Sequence, residues 1–126
     1  MADKIGNLPR GPQRLLMATR WSWQGLRAAW RHESSFRLEA CLAVVLVPLG
    51  LWLGHGPVEK VLLAGPVLLV LAMELVNSAI EALIERYGAE WNELAGRAKD
   101  MGSAAVFVLL LNVALCWGLI VVAPRL

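Results

Sequence analysis

Histidine and cysteine are scarce in this chain, with two of each among 126 residues. His32 and His55 stand alone, without the HExxH spacing that lets two imidazoles share a zinc ion. Cys41 and Cys116 each sit in an apolar run without a metal-ligand neighbour and read as two buried thiols. No G-x-x-x-x-G-K-[ST] phosphate loop occurs, nor the HRD and DFG signatures of protein kinases. Any nucleotide chemistry here must therefore use another kind of site. Charge is also thin. Asp, Glu, Lys and Arg make up 17% of the chain and the net charge is +2, which gives no support to nucleic-acid binding. What is abundant is apolar surface: 58% of residues are hydrophobic and the mean hydropathy is +0.58. An ordinary soluble domain holds roughly 45–50%. These residues come in long blocks, so the bilayer is the expected solvent for most of one domain spanning residues 1–126.

Residues 1–12, with Gly6, Pro9, Gly11 and Pro12, read as a flexible lead-in. They do not read as a signal peptide, because the first uninterrupted apolar run begins only near Ala40. Residues 13–39 alternate apolar and charged residues with a helical period. Leu16, Trp23 and Trp30 recur every seven residues, flanked by Leu15 and Leu26, while Arg20, Gln24, Arg27 and Arg31 follow steps of 4, 3 and 4 on another face. A basic face opposite a Trp/Leu face predicts an amphipathic helix lying at the membrane interface, where indoles favour the headgroup level. Three apolar blocks follow, at 40–53, 61–80 and 104–122. The second is about 20 residues, or about 30 Å as a helix, and matches the hydrocarbon core. The first is short, and the preceding helix would supply the missing length by running into it. Gly54-His55-Gly56-Pro57 makes a turn, and Glu85 to Asp100 makes a polar loop or helix end. The fold class is thus an all-α membrane protein of one interfacial helix and three transmembrane helices.

Lys and Arg placement sets the orientation. Seven basic residues (Lys4, Arg10, Arg14, Arg20, Arg27, Arg31 and Arg37) precede the first span, and Arg86, Arg97 and Lys99 lie between the second and third. The turn after the first span has only Lys60 and the tail only Arg125. The N-terminus and the second connection are therefore expected in the cytoplasm.

An ionisable group inside a span costs about 2.5–3.5 kcal/mol on insertion scales, which makes it a functional candidate. The second span holds one in Leu71-Ala72-Met73-Glu74-Leu75-Val76-Asn77-Ser78, and Asn77 and Glu81 follow at steps of three and four. All three share one helix face, with Glu81 about 10 Å nearer the surface than Glu74. The shallower carboxylate can meet a water-borne cation and nucleotide, and the deeper one a hydroxyl carried by a lipid. The bland alternative is a Glu-Asn pair that cements helix packing. Glu33, Glu39, Glu90, Asn92, Glu93, Lys99 and Asp100 are expected at the same surface. Carboxylates converging from different helices suit Mg²⁺ shared with phosphates, although a solvated loop explains this group equally well.

Two stretches resemble the prokaryotic diacylglycerol kinase family. One is Ser22-Trp23-Gln24-Gly25-Leu26-Arg27-Ala28-Ala29-Trp30 with Glu33, Phe36, Arg37 and Glu39. The other is ELVNSAIEALIERYGAEWNELAGRAKDMGSAAV, from Glu74 to Val106. The likeness extends from Arg14 to Trp117. It implies a homotrimer in the bacterial inner membrane, with composite sites between subunits at the cytoplasmic face, phosphorylating 1,2-diacylglycerol to phosphatidic acid. On this sequence it implies Glu74 as general base, assisted by Asn77 and Lys99, and Glu33 and Glu81 as carboxylates holding Mg²⁺ on ATP. It further places Arg14, Trp21, Glu33, Glu81, Glu90, Trp91, Asn92, Lys99 and Asp100 at the nucleotide. Arg14, Ala18, Trp23, Ser35, Glu39, Glu74, Ser103 and Trp117 fall at the lipid. Trp21 and Asn92 depart from the family pattern, standing in for tyrosine and histidine. Two rivals remain. One is a sister kinase acting on undecaprenol; the other is a small oligomeric transporter or channel lined by Glu74 and Asn77, which leaves Glu33, Glu81 and Lys99-Asp100 unexplained.

Overall fold

The structure, a computed structural model, describes residues 10–88 and 90–126, so most of the expected lead-in lies outside the described residues. The described chain is helical, in four long elements: α1 (Pro12–His32), α2 (Ser34–Leu53), α3 (Gly56–Arg86) and α4 (Glu93–Trp117). A π-helical turn (Gly118–Val122) and a 3-10 turn (Ala123–Arg125) continue α4 to the C-terminus. The helices α2, α3 and α4 with its extension are each long and apolar enough to cross a membrane.

One expected boundary is corrected. The amphipathic pattern carries a single helix from residue 13 to 39, but the chain breaks at Glu33, which takes an extended conformation (φ −117°, ψ 106°). Glu33 ends α1 by donating its N–H to the Ala29 carbonyl at 2.9 Å, and starts α2 by accepting from the Arg37 N–H at 3.1 Å. The Arg37 guanidinium turns back to donate to the Trp30 carbonyl at 2.9 Å and the Arg31 carbonyl at 3.3 Å. These are last-turn carbonyls that a helix cannot satisfy internally. The next two residues, Ser34 and Ser35, are ones that compete with helix interiors and favour helix starts. Residues 34–39 thereby pass to α2, which reaches 20 residues.

The other two spanning helices outrun their apolar blocks for a different reason. A backbone inside or near a bilayer gains by keeping every N–H bonded within the helix. α3 has 31 residues, about 46 Å at 1.5 Å per residue, and so carries Glu81 to Arg86 beyond a hydrocarbon layer of roughly 30 Å.

α3 lies between α2 and α4 and packs on both. The core is small: Phe36, Ala43, Leu63, Ala64, Val67, Val70 and Val106 are buried, with Ala29 from α1. Away from the site, the three spanning helices are clasped at Gly50, Leu63 and Trp117. A Cβ on Gly50 would lie 2.8 Å from the Leu63 Cβ and 3.3 Å from the Trp117 ring. The Trp117 indole donates to the Leu63 carbonyl at 3.0 Å. That bond sits next to the Leu62 carbonyl, which Pro66 cannot serve because it has no N–H.

Gly50→Ala should therefore destabilise the chain by about 1–3 kcal/mol, the usual cost of overpacking. Gly65→Ala, where the nearest atom is the Val61 Cγ1 at 4.0 Å, should be neutral or stabilising. Unfolding in mixed micelles with rising SDS, followed by far-UV circular dichroism, checks this. Equal midpoints for the two variants would mean that the α2–α3 contact does not limit stability.

Candidate active site at the α1–α2 break

The polar stripe of α3 is buried. Glu74 is 6% exposed, Asn77 8% and Ser78 8%, among helices whose other buried side chains are apolar. Phe36 of α2 and Val106 of α4 close over this level of the bundle. α4 comes close because Gly102 faces the stripe: a Cβ there would stand 2.5 Å from the Asn77 Oδ1. Small residues at such crossings let spanning helices approach closely. Gly102 in turn delivers its neighbour Ser103 to the rim of a cavity of about 350 Å³.

Three helices and the α1–α2 break supply the walls of that cavity. α3 gives Glu74, Asn77 and Glu81; α2 gives Ser35 and Glu39; the break gives Glu33; α4 gives Ser103. Val106, Phe107 and Leu110 form an apolar wall on the α4 side. A second, larger cavity of about 900 Å³ runs between α1 and the end of α3. Small or polar residues line it, among them Ser22, Gly25 and Ala29 from α1 and Ser78, Ala82 and Glu85 from α3. Glu33 and Glu81 belong to both cavities and mark the seam between them. Glu33 does so from the extended break and Glu81 from within α3.

The electrostatics are one-sided. Glu39 adjoins Glu74, and Glu33 and Glu81 lie within electrostatic reach of it. Among the described residues the ion pairs are His55–Glu59 at 3.6 Å and Arg97–Glu93 at 3.9 Å, so none of these four carboxyls has a basic partner. The Asn77 Oδ1, the Ser78 Oγ and the Glu39 Oε2 are buried without a hydrogen-bond partner. Each such atom costs about 1–3 kcal/mol, and in a native structure it calls for an explanation such as a ligand or ion. Carboxylates without cations and acceptors without donors together fit a site completed by a cation and by hydroxyl or amine donors.

Seven of the residues singled out in the sequence thus meet in one place: Glu33, Ser35, Glu39, Glu74, Asn77, Glu81 and Ser103. Others do not line either cavity. Arg14, Ala18 and Trp23 lie along α1, with Trp23 exposed, and Trp21 is half-buried there and engaged with its surroundings. Glu90 and Trp91 are exposed in the α3–α4 connection. Lys99 and Asp100 are exposed near the start of α4; Lys99 precedes Ser103 by four residues and so shares its face, one turn outside the cavity. Trp117 is far along α4, in the clasp with Leu63. Asn92 caps α4, its Oδ1 accepting from the Leu94 N–H at 2.9 Å and the Ala95 N–H at 3.2 Å. The residues that sequence reasoning missed are Gly102, Ser78 and the Val106/Phe107/Leu110 wall. An Asn followed by a Glu in the next position was the available signal for the cap.

A family model described as prokaryotic diacylglycerol kinase matches residues 20–121, a stretch that holds every residue of the smaller cavity. The chain belongs to the prokaryotic diacylglycerol kinase family. Proteins named diacylglycerol kinase resemble it along most of their length. The one from Haemophilus influenzae is 47% identical over 108 residues, covering 86% of this chain and 92% of its own. The Escherichia coli protein is 43% identical over 113 residues (90% and 93%). The Pseudomonas aeruginosa protein is 44% identical over 110 residues (87% and 89%). Membership of this family, with three helices able to cross a bilayer, makes the chain a bacterial membrane protein.

The Asn92 side chain caps α4 through its Oδ1. Asn92→Ala should cost about 1 kcal/mol of stability, whereas Asn92→Asp should keep the cap and lose little. Hydrogen exchange at the Leu94 and Ala95 amides reads this directly. Unchanged protection in the alanine variant would remove the capping role.

Proposed function

We propose that the chain is an ATP-dependent lipid kinase that moves the γ-phosphate of ATP to the free hydroxyl of 1,2-diacylglycerol, giving phosphatidic acid. The observation that carries this reading is the smaller cavity: four carboxyls beside an apolar wall, at the depth of a membrane-spanning helix. The names of the three relatives point to diacylglycerol rather than to undecaprenol as acceptor.

Phosphoryl transfer asks a protein for alignment and charge neutralisation more than for covalent help. Glu74, the deepest carboxylate, accepts the proton of the lipid hydroxyl as its oxygen attacks the γ-phosphorus and ADP departs. Asn77, one turn away, orients that hydroxyl by accepting from it at its free Oδ1, or orients Glu74 itself by donating from its amide NH₂. Val106, Phe107 and Leu110 exclude water from the attacking oxygen and take the acyl chains. Among the described residues no three Asp, Glu, His or Cys gather to cage a metal. Two carboxylates at a seam nonetheless suit Mg²⁺ that arrives on a nucleotide, since it is commonly held by one or two carboxylates plus substrate phosphates. Glu33 and Glu81 would hold the Mg²⁺ of Mg-ATP, which would supply neutralisation of the phosphate oxygens. Lys99, with Arg14, Trp21, Glu90, Trp91, Asn92 and Asp100, serves the nucleotide. Ala18, Trp23, Ser35, Glu39, Ser103 and Trp117 serve the lipid.

The same reading places the chain as a homotrimer in the inner membrane, with the N-terminus and site at the cytoplasmic face and α1 lying in the interface. Basic residues support the orientation, since they gather before α2 and between α3 and α4. Exposed Leu15, Leu16 and Trp23 on α1 support its interfacial position. The position of Lys99 outside its own chain's cavity supports sites shared between copies.

Mg-ATP-dependent phosphorylation of dioleoylglycerol in mixed micelles is the primary test. Wild-type turnover should fall by about 10²–10⁴ in a folded Glu74→Gln variant, the usual contribution of a positioned base. Turnover on undecaprenol alone would reassign the acceptor, and ATP-independent ion flux would restore the channel reading.

Mixing bears on the shared site. Glu74→Gln and Lys99→Met subunits, each inactive alone, should regain part of the wild-type rate when exchanged into common trimers. Absence of any regain, with exchange verified by tag pull-down, means that each chain builds its own site.

A further inference from the structure

One polar side chain in the membrane-spanning part of the fold belongs to neither cavity. Asn112 lies in Phe107-Val108-Leu109-Leu110-Leu111-Asn112-Val113-Ala114-Leu115, within the third apolar block. It is ten residues past Gly102, about 15 Å deeper along the helix than the crossing at Asn77. Leu110, which does line the cavity, is two residues away and so points to nearly the opposite side of α4. The line Gly102, Val106, Leu109, Val113 and Trp117 runs at steps of 4, 3, 4 and 4 and faces α3, as buried Gly102 and Val106 and the Trp117–Leu63 bond indicate. Asn112 stands on the remaining flank, with Ala105 and Cys116 at helical spacing and with exposed Val108, Leu115 and Leu119 around them.

The carboxamide is poorly served within its own chain. Among the described residues its one partner is the Cys116 thiol, a weak donor whose sulfur lies 3.9 Å from Oδ1. Among the described residues the amide NH₂ has no acceptor. In water this is harmless, but hydrocarbon offers neither donor nor acceptor, and an unmet amide there costs several kcal/mol. α4 is also the least covered of the three spans, with 6% of its most apolar stretch buried against 17% for α2 and 28% for α3.

We infer that Asn112 is the polar centre of a surface on α4 that packs against a second copy of this chain. A carboxamide both donates and accepts, so identical copies can satisfy one another across an interface without help from a different protein. Ala105 and Cys116, small side chains on either side of Asn112, leave room for a neighbouring helix to approach within hydrogen-bonding range. The inference rests on the self-association in the proposed function and adds where the copies meet; it is independent of which hydroxyl is phosphorylated.

The test uses the full chain in non-ionic micelles, with association measured by sedimentation equilibrium on dilution into detergent, for wild type, Asn112→Leu and Asn112→Gln. Leucine keeps the volume and the apolar character of α4, so helicity by circular dichroism should be unchanged while association weakens about 3- to 30-fold per contact, the range for interhelical hydrogen bonds in membranes. Glutamine, which restores the donor and acceptor, should recover most of it. Leucine associating as tightly as wild type, or glutamine as weakly as leucine, overturns the inference while leaving the homotrimer standing. A wild type that stays monomeric in micelles and in bilayers overturns both, and dioleoylglycerol phosphorylation then judges the kinase reading separately.

Discussion

The burial of polar side chains along one face of α3 is the constraint around which the other helices are arranged. In hydrocarbon a carboxylic acid or carboxamide has no solvent to fall back on, and a mid-span ionisable group costs about 2.5–3.5 kcal/mol even on the lenient insertion scales. α3 carries Glu74, Asn77 and Ser78 at this level, all buried, with two of their polar atoms unmet. A helix bearing such a stripe is stable only if neighbours shield it from lipid. α2 does so with Phe36 and Glu39, and α4 with Gly102, Ser103 and Val106. The remainder of the bundle is thin. Beyond its few buried apolar residues, the Gly50–Leu63–Trp117 clasp holds the three helices together about 16 Å along α3 from Glu74.

The break at Glu33 follows from the same constraint. A straight continuation of α1 into α2 would project the basic amphipathic segment away from the end of α3. Arg37 makes the turn affordable by satisfying the carbonyls of Trp30 and Arg31 that the break exposes. The chain then folds α1 back along α3, which creates the larger groove and leaves Glu33 at its boundary with the smaller one. One extended residue thus stands where the larger groove meets the smaller cavity.

Periodicity explains which parts of this were legible in the sequence. Glu74, Asn77 and Glu81 share a face by spacing alone, and spacing within one helix is readable without coordinates. The three spans were readable from length and apolarity for the same reason. Resemblance, rather than spacing, named Ser35, Glu39 and Ser103 for the lipid and assigned Mg²⁺ to Glu33. What periodicity does not carry is a change of direction between helices. The Glu33 break depends on Arg37 reaching back over the preceding turn, a long-range side-chain bond that leaves no trace in the apolar pattern. Gly102 was hidden because a crossing point is defined by the facing helix. The cap at Asn92 is local, its Oδ1 accepting from the Leu94 and Ala95 N–H groups, and the following Glu93 is its trace in the sequence.

The missing phosphate loop takes on a physical meaning in this setting. A glycine-rich loop works by presenting unbonded backbone N–H groups to phosphate oxygens. Glu81 lies late in α3, where each N–H is already bonded four residues back, and loops with free N–H groups are excluded from hydrocarbon unless protein or water covers them. A site built on spanning helices is therefore left with side chains and with whatever cation the nucleotide brings. Side-chain carboxylates are the economical choice, since the anion that must be recognised arrives already paired with a cation. Under the proposed function the acidic seam would be selective in one further respect: a bare triphosphate would be repelled by Glu33, Glu39, Glu74 and Glu81 together, while its magnesium complex would be held by two of them.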